Sequence, residues 1–221
     1  MKSFEARKAF DRELADLQED LRKMGQTVEE MLDKAIRALA ERDVKLAHEV
    51  EDMDDIVDRY NLDIENRSLH LLALQQPMAR DLRTIAAAMK IITDVERAGD
   101  YAVDIAKLAE QLAHKPLFKP LEDIPKMMRI VQRMLRETLT AFVSGDLDLV
   151  HEMIAHDEEV DRLYHRLHDE LIGFIKRDPS LAEQAVGLLL IARYLERIAD
   201  HITNIGERIY YMETGELKEL H

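Results

Sequence analysis

The chain of 221 residues has no cysteine and no tryptophan, and only 7 glycines and 5 prolines. Without cysteine there is no disulfide, no thiolate metal site and no thiol nucleophile. So little Gly and Pro leaves few turns, and the plentiful Ala, Leu, Glu, Lys, Arg and Met suit long helices instead. Long apolar runs are missing too. The longest, "AVGLLLIA", falls far short of the ~20 residues that cross a bilayer. The opening "MKSFEARKAFDREL" alternates charge where a signal peptide has an apolar core, so a cytoplasmic protein is expected. Basic residues are outnumbered 31 to 45, for a net charge of -14, which opposes nonspecific attraction to phosphate backbones. No nucleic-acid partner is expected. Nor is there a Gly-rich phosphate loop: "GDYAVD" and "SGDLD" lack the lysine and the glycine spacing. With no nucleophile placed beside a base, a non-enzymatic protein is the leading expectation.

What the chain does have is said twice. Sliding it by 103 residues superposes Val28 to Arg59 on Val131 to Arg162 with twelve identities in thirty-two positions, including Asp43 and Asp146, His48 and His151, and Asp54 and Asp157. Average residue usage would give about two. Further on the offset falls to 100, and Ile91, Glu96, Arg97, Asp100 and Ile105 meet Ile191, Glu196, Arg197, Asp200 and Ile205. The chain is a tandem duplication, with units expected at 1–115 and 121–221 on either side of the proline-rich "KPLFKP".

Each copy divides into three helical segments. Leu46, Val50, Met53, Val57, Tyr60 and Ile64 recur by fours and threes, as do Leu149, Met153, His156, Val160, Leu163 and Leu167. Such seams belong to helices packed lengthwise. Asp43 and Asp146 read as N-caps and Gly215 as a C-terminal stop. The expectation is all-α: six helices, near 4–41, 44–74, 78–114, 122–143, 147–176 and 180–213, forming two tandem three-helix bundles, end to end or fused.

On those helices acids sit where apolar residues are expected. At 100° per residue, Ile85, Met89, Ile92, Gly99 and Val103 fall within about 60° of Glu96, so Glu96 lies inside the apolar stripe. Asp100 and Asp104 follow at one-turn spacing, and copy two repeats the ladder as Glu196, Asp200 and Asn204. The middle helices add Asp54 and Asp58, and Asp157 and Asp161, beside their own seams. Half-buried carboxylates at this spacing repel each other and lose hydration, which calls for protonation, arginine or a metal cation. Arg97 and Arg197 within the motifs, with Arg80, Arg83 and Arg193 nearby, supply the arginine alternative. If metal binds, carboxylates without thiols suit hard cations such as Mg, Mn or Fe. No histidine has a Glu three residues before it, which disfavours the ferritin-like di-iron arrangement. His201 points about 100° away from Asp200 and reads as a packing or surface residue, and His48 and His151 lie on outer faces.

The duplicated units carrying "PMARDLR" with "DVERAGDYAVDIAK", and "YLERIADHITNIGERI", resemble the PhoU family of bacterial regulators of phosphate uptake and phosphate signalling, over essentially the whole chain. The resemblance implies an all-α, PhoU- or spectrin-like pair of bundles, cytoplasmic and commonly dimeric, some members holding multinuclear iron or binding Mn or Mg through Glu/Asp-x-x-x-Asp motifs. Carried onto this chain, it implies one metal site of Asp54, Asp58, Glu96, Asp100 and Asp104, and a second of Asp157, Asp161, Glu196, Asp200 and Asn204. The amide of Asn204 brings one charge fewer. The implied role is negative regulation of phosphate uptake and of the phosphate-starvation response, as an adaptor between the ATPase of the phosphate ABC transporter and a membrane sensor histidine kinase. Peripheral membrane association is compatible with that role. The alternatives are a metal-dependent phosphohydrolase, an accessory regulator of a different phosphate transporter, or a metal-free structural bundle.

Overall fold

A computed structural model describes residues 2–75, 77 and 79–220. Met78, the expected start of the third helix, and the terminal positions Met1 and His221 lie outside the described residues. The helices are α1 (Lys2–Glu41), α2 (Val44–Gln75), α3 (Arg80–Leu112), α4 (Asp123–Ser144), α5 (Leu147–Arg177) and α6 (Ala182–Thr214), with a 3-10 turn at Pro179–Leu181. Their ends follow from local chemistry. Asp43 and Asp146 each accept a hydrogen bond at 2.9 Å from the backbone N–H two residues on, opening α2 and α5. Gly145 and Gly215 close α4 and α6 in the left-handed conformation that a side chain disfavours. Asp178 caps the 3-10 turn, accepting from Ser180 N at 3.0 Å.

Helices α1–α3 pack as one three-helix bundle and α4–α6 as another. The two stand side by side, joined through α1 against α4 and, most extensively, α3 against α6. Both pairs are antiparallel. Along α3 and α6, Arg83 Nε donates to Met212 O at one end, Asp94 meets His201 in the middle, and Leu112 covers Gly187 at the other. Between α1 and α4, Gly25 lies under Leu139 while Gln132 Nε2 donates to Glu29 O. Among the described residues α2 and α5 do not meet, so they form the outer flanks. The open choice between end-to-end and fused bundles is thereby decided, because apolar residues continue across the junction. Ile91, Ala98, Ile105, Ile191, Ile198 and Ile205 belong to one buried core with Val57 and Val160 from the flanking helices. Among the described residues no helix is long and apolar enough to cross a membrane.

Candidate metal centre

The repeat relation makes α3 and α6 pseudo-symmetric partners: Asp94 corresponds to Tyr194, Glu96 to Glu196, Asp100 to Asp200 and Tyr101 to His201. Contacts across the junction obey it. His201 Nδ1 lies 2.9 Å from Asp94 Oδ1, and at the equivalent place Tyr101 and Tyr194 stack with ring centroids 5.5 Å apart. A local two-fold relation thus crosses the α3–α6 junction, and an acidic cluster lies on each side of it, the first between α2 and α3 and the second between α5 and α6.

In the first cluster α2 packs against α3 at Gly99. A Cβ there would lie 3.4 Å from Val57 and 3.8 Å from Asp54 Oδ1. That approach brings Asp54 and Asp58 to Glu96 and Asp100. Burial pushes the Asp54 and Glu96 carboxyls above the usual carboxylate range, and the charges of Asp58 and Asp100 push both further the same way. Glu96 keeps 23% of its side chain exposed and has Arg97 Nε at 3.8 Å, while Arg97 Nη1 donates to Asp100 at 2.8 Å. Lys107, on α3 like Arg97, acts on Asp54 across to α2. Asp104, a turn beyond Asp100, stands beside the Tyr194 ring, whose hydroxyl is pushed up by burial and then by that carboxylate.

The second cluster gathers Asp161, Glu196 and Asp200. Burial raises Glu196 above the usual range, with Asp200 and Asp161 adding to it. Glu196 is only 12% exposed; Arg193 Nη1 donates to its Oε1 at 2.5 Å, and its Oε2 is buried with no hydrogen-bond partner. Arg197 Nη1 donates to Asp200 at 3.0 Å, and the Tyr101 side chain acts on the same guanidinium. Asp157 lies one turn before Asp161 on α5, half-buried. Asn204 is exposed and turns to the junction, donating to Asp94 at 3.4 Å.

Of the residues singled out by sequence, then, Asp54, Asp58, Glu96 and Asp100 come together, as do Asp161, Glu196 and Asp200, whereas Asp104 and Asn204 face the junction between the copies. Arg80 and Arg83 compensate neither cluster; they hold the far end of α3 to Glu213 and to Met212 O. His48 and His151 are exposed, as their helix angles imply, His48 beside Glu110 and His151 edge-on to Tyr210. The Arg193–Glu196 pair realises the arginine alternative in the second cluster, whereas the Asp94–His201 bridge lies outside the sequence expectations. The bridge's one signal is the repeat itself, which puts Asp94 where copy two has Tyr194.

The residues present suit a hard cation: an all-oxygen donor set, three carboxyls penalised for their charge, and one buried carboxylate oxygen without a partner. Among the described residues no three His, Asp or Glu side chains stand in ligating geometry, and in each cluster a carboxylate is turned to a guanidinium.

A family model described as the PhoU domain matches the chain twice, over residues 21–109 and 124–209. The chain is 37% identical over 215 residues to a phosphate-specific transport system accessory protein PhoU homolog from Clostridium acetobutylicum, covering 97% of this chain and 98% of that one. It is 41% identical over 206 residues to the homolog of that name from Aquifex aeolicus, covering 93% of each. The fold matches the crystal structure of PhoU from Pseudomonas aeruginosa with a TM-score of 0.89 at 34% identity, over 94% of this chain and all of that one. The phosphate transport system regulatory protein PhoU from Streptococcus pneumoniae matches equally well, with a TM-score of 0.89 at 35% identity over 96% of this chain. Both copies of the duplication fall under one family description, and whole-length relatives share the fold as well as the sequence: the chain belongs to the PhoU family.

Proposed function

We propose that this chain regulates phosphate-specific transport without catalysis, acting on the cytoplasmic side as a metal-binding adaptor between the phosphate transporter's ATPase and a sensor histidine kinase, and keeping the starvation response off when phosphate is plentiful. Its relatives are named accessory proteins of that transport system. The observation that carries the metal part of the reading is the repetition, about one local two-fold axis, of a half-buried carboxylate cluster whose arginines leave its charge incompletely compensated. Asp54, Asp58, Glu96 and Asp100 would hold Fe, Mn or Mg in the first cluster, with Asp104 at its edge. Asp157, Asp161, Glu196 and Asp200 would do so in the second, with Asn204 at its edge. Such an ion supplies fixed positive charge that relieves the carboxylate repulsion and can be presented to a partner. The chain itself contributes the rigid helices that space the donors.

Metal analysis of protein purified without chelator is expected to find Fe, Mn or Mg bound. Because a ligand that binds only the folded state stabilises it, added Mn is expected to raise the melting temperature. Asp100→Asn combined with Asp200→Asn is expected to remove most of that gain, and a melting curve unmoved by metal would discard the metal sites. We further propose a homodimer, which light scattering tests: a mass of 25.6 kDa at micromolar concentration, with and without metal, refutes it.

A further inference from the structure

We infer that Arg193 is a built-in counter-cation on Glu196 of the second cluster, so that metal fills the first cluster first and enters the second only by displacing this guanidinium. The inference rests on the metal-binding reading proposed above. The two clusters descend from one ancestral unit and share Glu96 or Glu196, Asp100 or Asp200, and the intervening Arg97 or Arg197. They differ one turn earlier. Position 93 is threonine; its counterpart is Arg193, which reaches forward three residues on the same helix face to Glu196 Oε1 at 2.5 Å. At Glu96 the nearest guanidinium atom is Arg97 Nε at 3.8 Å, and Arg97 gives its short bond to Asp100.

The two clusters differ in where their cations sit. The first cluster sets four carboxylates, Asp54, Asp58, Glu96 and Asp100, against Arg97, with Lys107 acting on Asp54 alone. In the second, Glu196 itself faces both Arg193 and Arg197, beside Asp161 and Asp200 and with Asp157 a turn before Asp161. Copy two has Glu207 where copy one has Lys107, so the compensating cation sits at a different place in each copy. In copy two that place is directly on a carboxylate only 12% exposed, and yet Glu196 Oε2 remains unsatisfied. One bonded guanidinium occupies one oxygen of a group that can chelate a cation through both. A resting place for the displaced guanidinium is already in position: the Arg193 Cζ lies 5.6 Å from the centroid of the Tyr164 ring on α5, a cation–π distance that needs no carboxylate.

A neighbouring opposite charge alters a carboxylate's affinity for a proton by about one to three decades, and a divalent cation meets the same competition. Calorimetric titration of the chelator-treated chain with Mn is therefore expected to resolve two affinity classes at least about tenfold apart. Glu96→Gln with Asp100→Asn should abolish the tighter class and Glu196→Gln with Asp200→Asn the weaker. Arg193→Thr should tighten the weaker class by about tenfold or more, toward the first, and Thr93→Arg should weaken the tighter class by a similar factor. The second variant adds a pair without stripping one from a buried acid, so it reads the effect even if Arg193→Thr unfolds, which helical circular dichroism would reveal. Two indistinguishable classes in the unaltered chain, or affinities indifferent to both substitutions, overturn the inference while leaving metal binding intact. No Mn bound by any form overturns the metal reading itself, and the inference with it.

Discussion

Single side chains carry the clearest physical signature of the acidic clusters. Asp54, Glu96 and Glu196 have carboxyls raised by burial, so the folded chain holds protons more tightly than the unfolded one. Stability contributed by these groups therefore falls as pH rises from the ordinary carboxylate range toward neutrality, and the full cost is present above their raised values. Without metal, melting temperature should fall across that window. Glu96→Gln with Glu196→Gln should flatten the fall and raise the melting temperature at neutral pH by about 2 °C or more; a drop on neutralising both would mean that the arginines, not a missing cation, complete the sites. A second residue is strained by its neighbour's logic. Arg42 ends the α1 turn at φ 57, and its repeat counterpart is Gly145 at φ 74. Relief of the left-handed backbone, set against the added entropy of the unfolded chain, should make Arg42→Gly stabilising by about 0.5–1 kcal/mol in urea titration. The place of Glu96 inside its stripe was legible because the angle around a helix is fixed by residue number. Where Arg193 points was not, because rotamers and partners on a neighbouring helix are set by packing that no single-helix periodicity contains.

At the scale of helices the sequence was informative for the same reason. Caps at Asp43, Asp146 and Gly215 are local hydrogen-bond chemistry, and the expected ends lie within a few residues of those found. The 3-10 turn at Pro179–Leu181 takes the place of the first residues of the expected 180–213 helix, since its register depends on Asp178 capping Ser180. Which helices pair between the copies was not legible. Gly25 gives no hint in sequence that it is the floor of the α1–α4 contact, where a Cβ would lie 2.0 Å from Leu139 Cδ1. Gly25→Ala is accordingly expected to cost about 1–3 kcal/mol by overpacking, and Leu139→Ala about 2–5 kcal/mol through the cavity it leaves. Because the new methyl points into that cavity, the double variant should cost clearly less than the sum of the two. Additive losses in a double-mutant cycle would place Gly25 outside the contact.

Across the whole molecule, duplication has produced a fold in which the two copies complete one another. Each copy turns an apolar face of α1 or α4, and of α3 or α6, toward the other, and the acidic clusters flank the axis between them. Residues 1–115 expressed alone should therefore aggregate or pair with themselves in imitation of the missing copy, and co-expression with 121–221 should restore a soluble complex on size exclusion; a well-folded monomeric half would show that the copies are independent. The central claim is that the paired clusters serve regulation more than stability, since Ile92, Val103, Leu195 and Ile202 stay in place around any carboxylate that is neutralised. The most direct measurement is a phosphate-starvation reporter in phosphate-rich cells lacking the native protein. The unaltered chain is predicted to keep the reporter off. The quadruple variant Glu96→Gln, Asp100→Asn, Glu196→Gln, Asp200→Asn is predicted to leave it on at normal protein level and helix content, with either two-site half of it milder. Full repression by the soluble, helical quadruple variant would contradict the account and move the regulatory surface elsewhere, to the "KPLFKP" connection or the outer faces of His48 and His151.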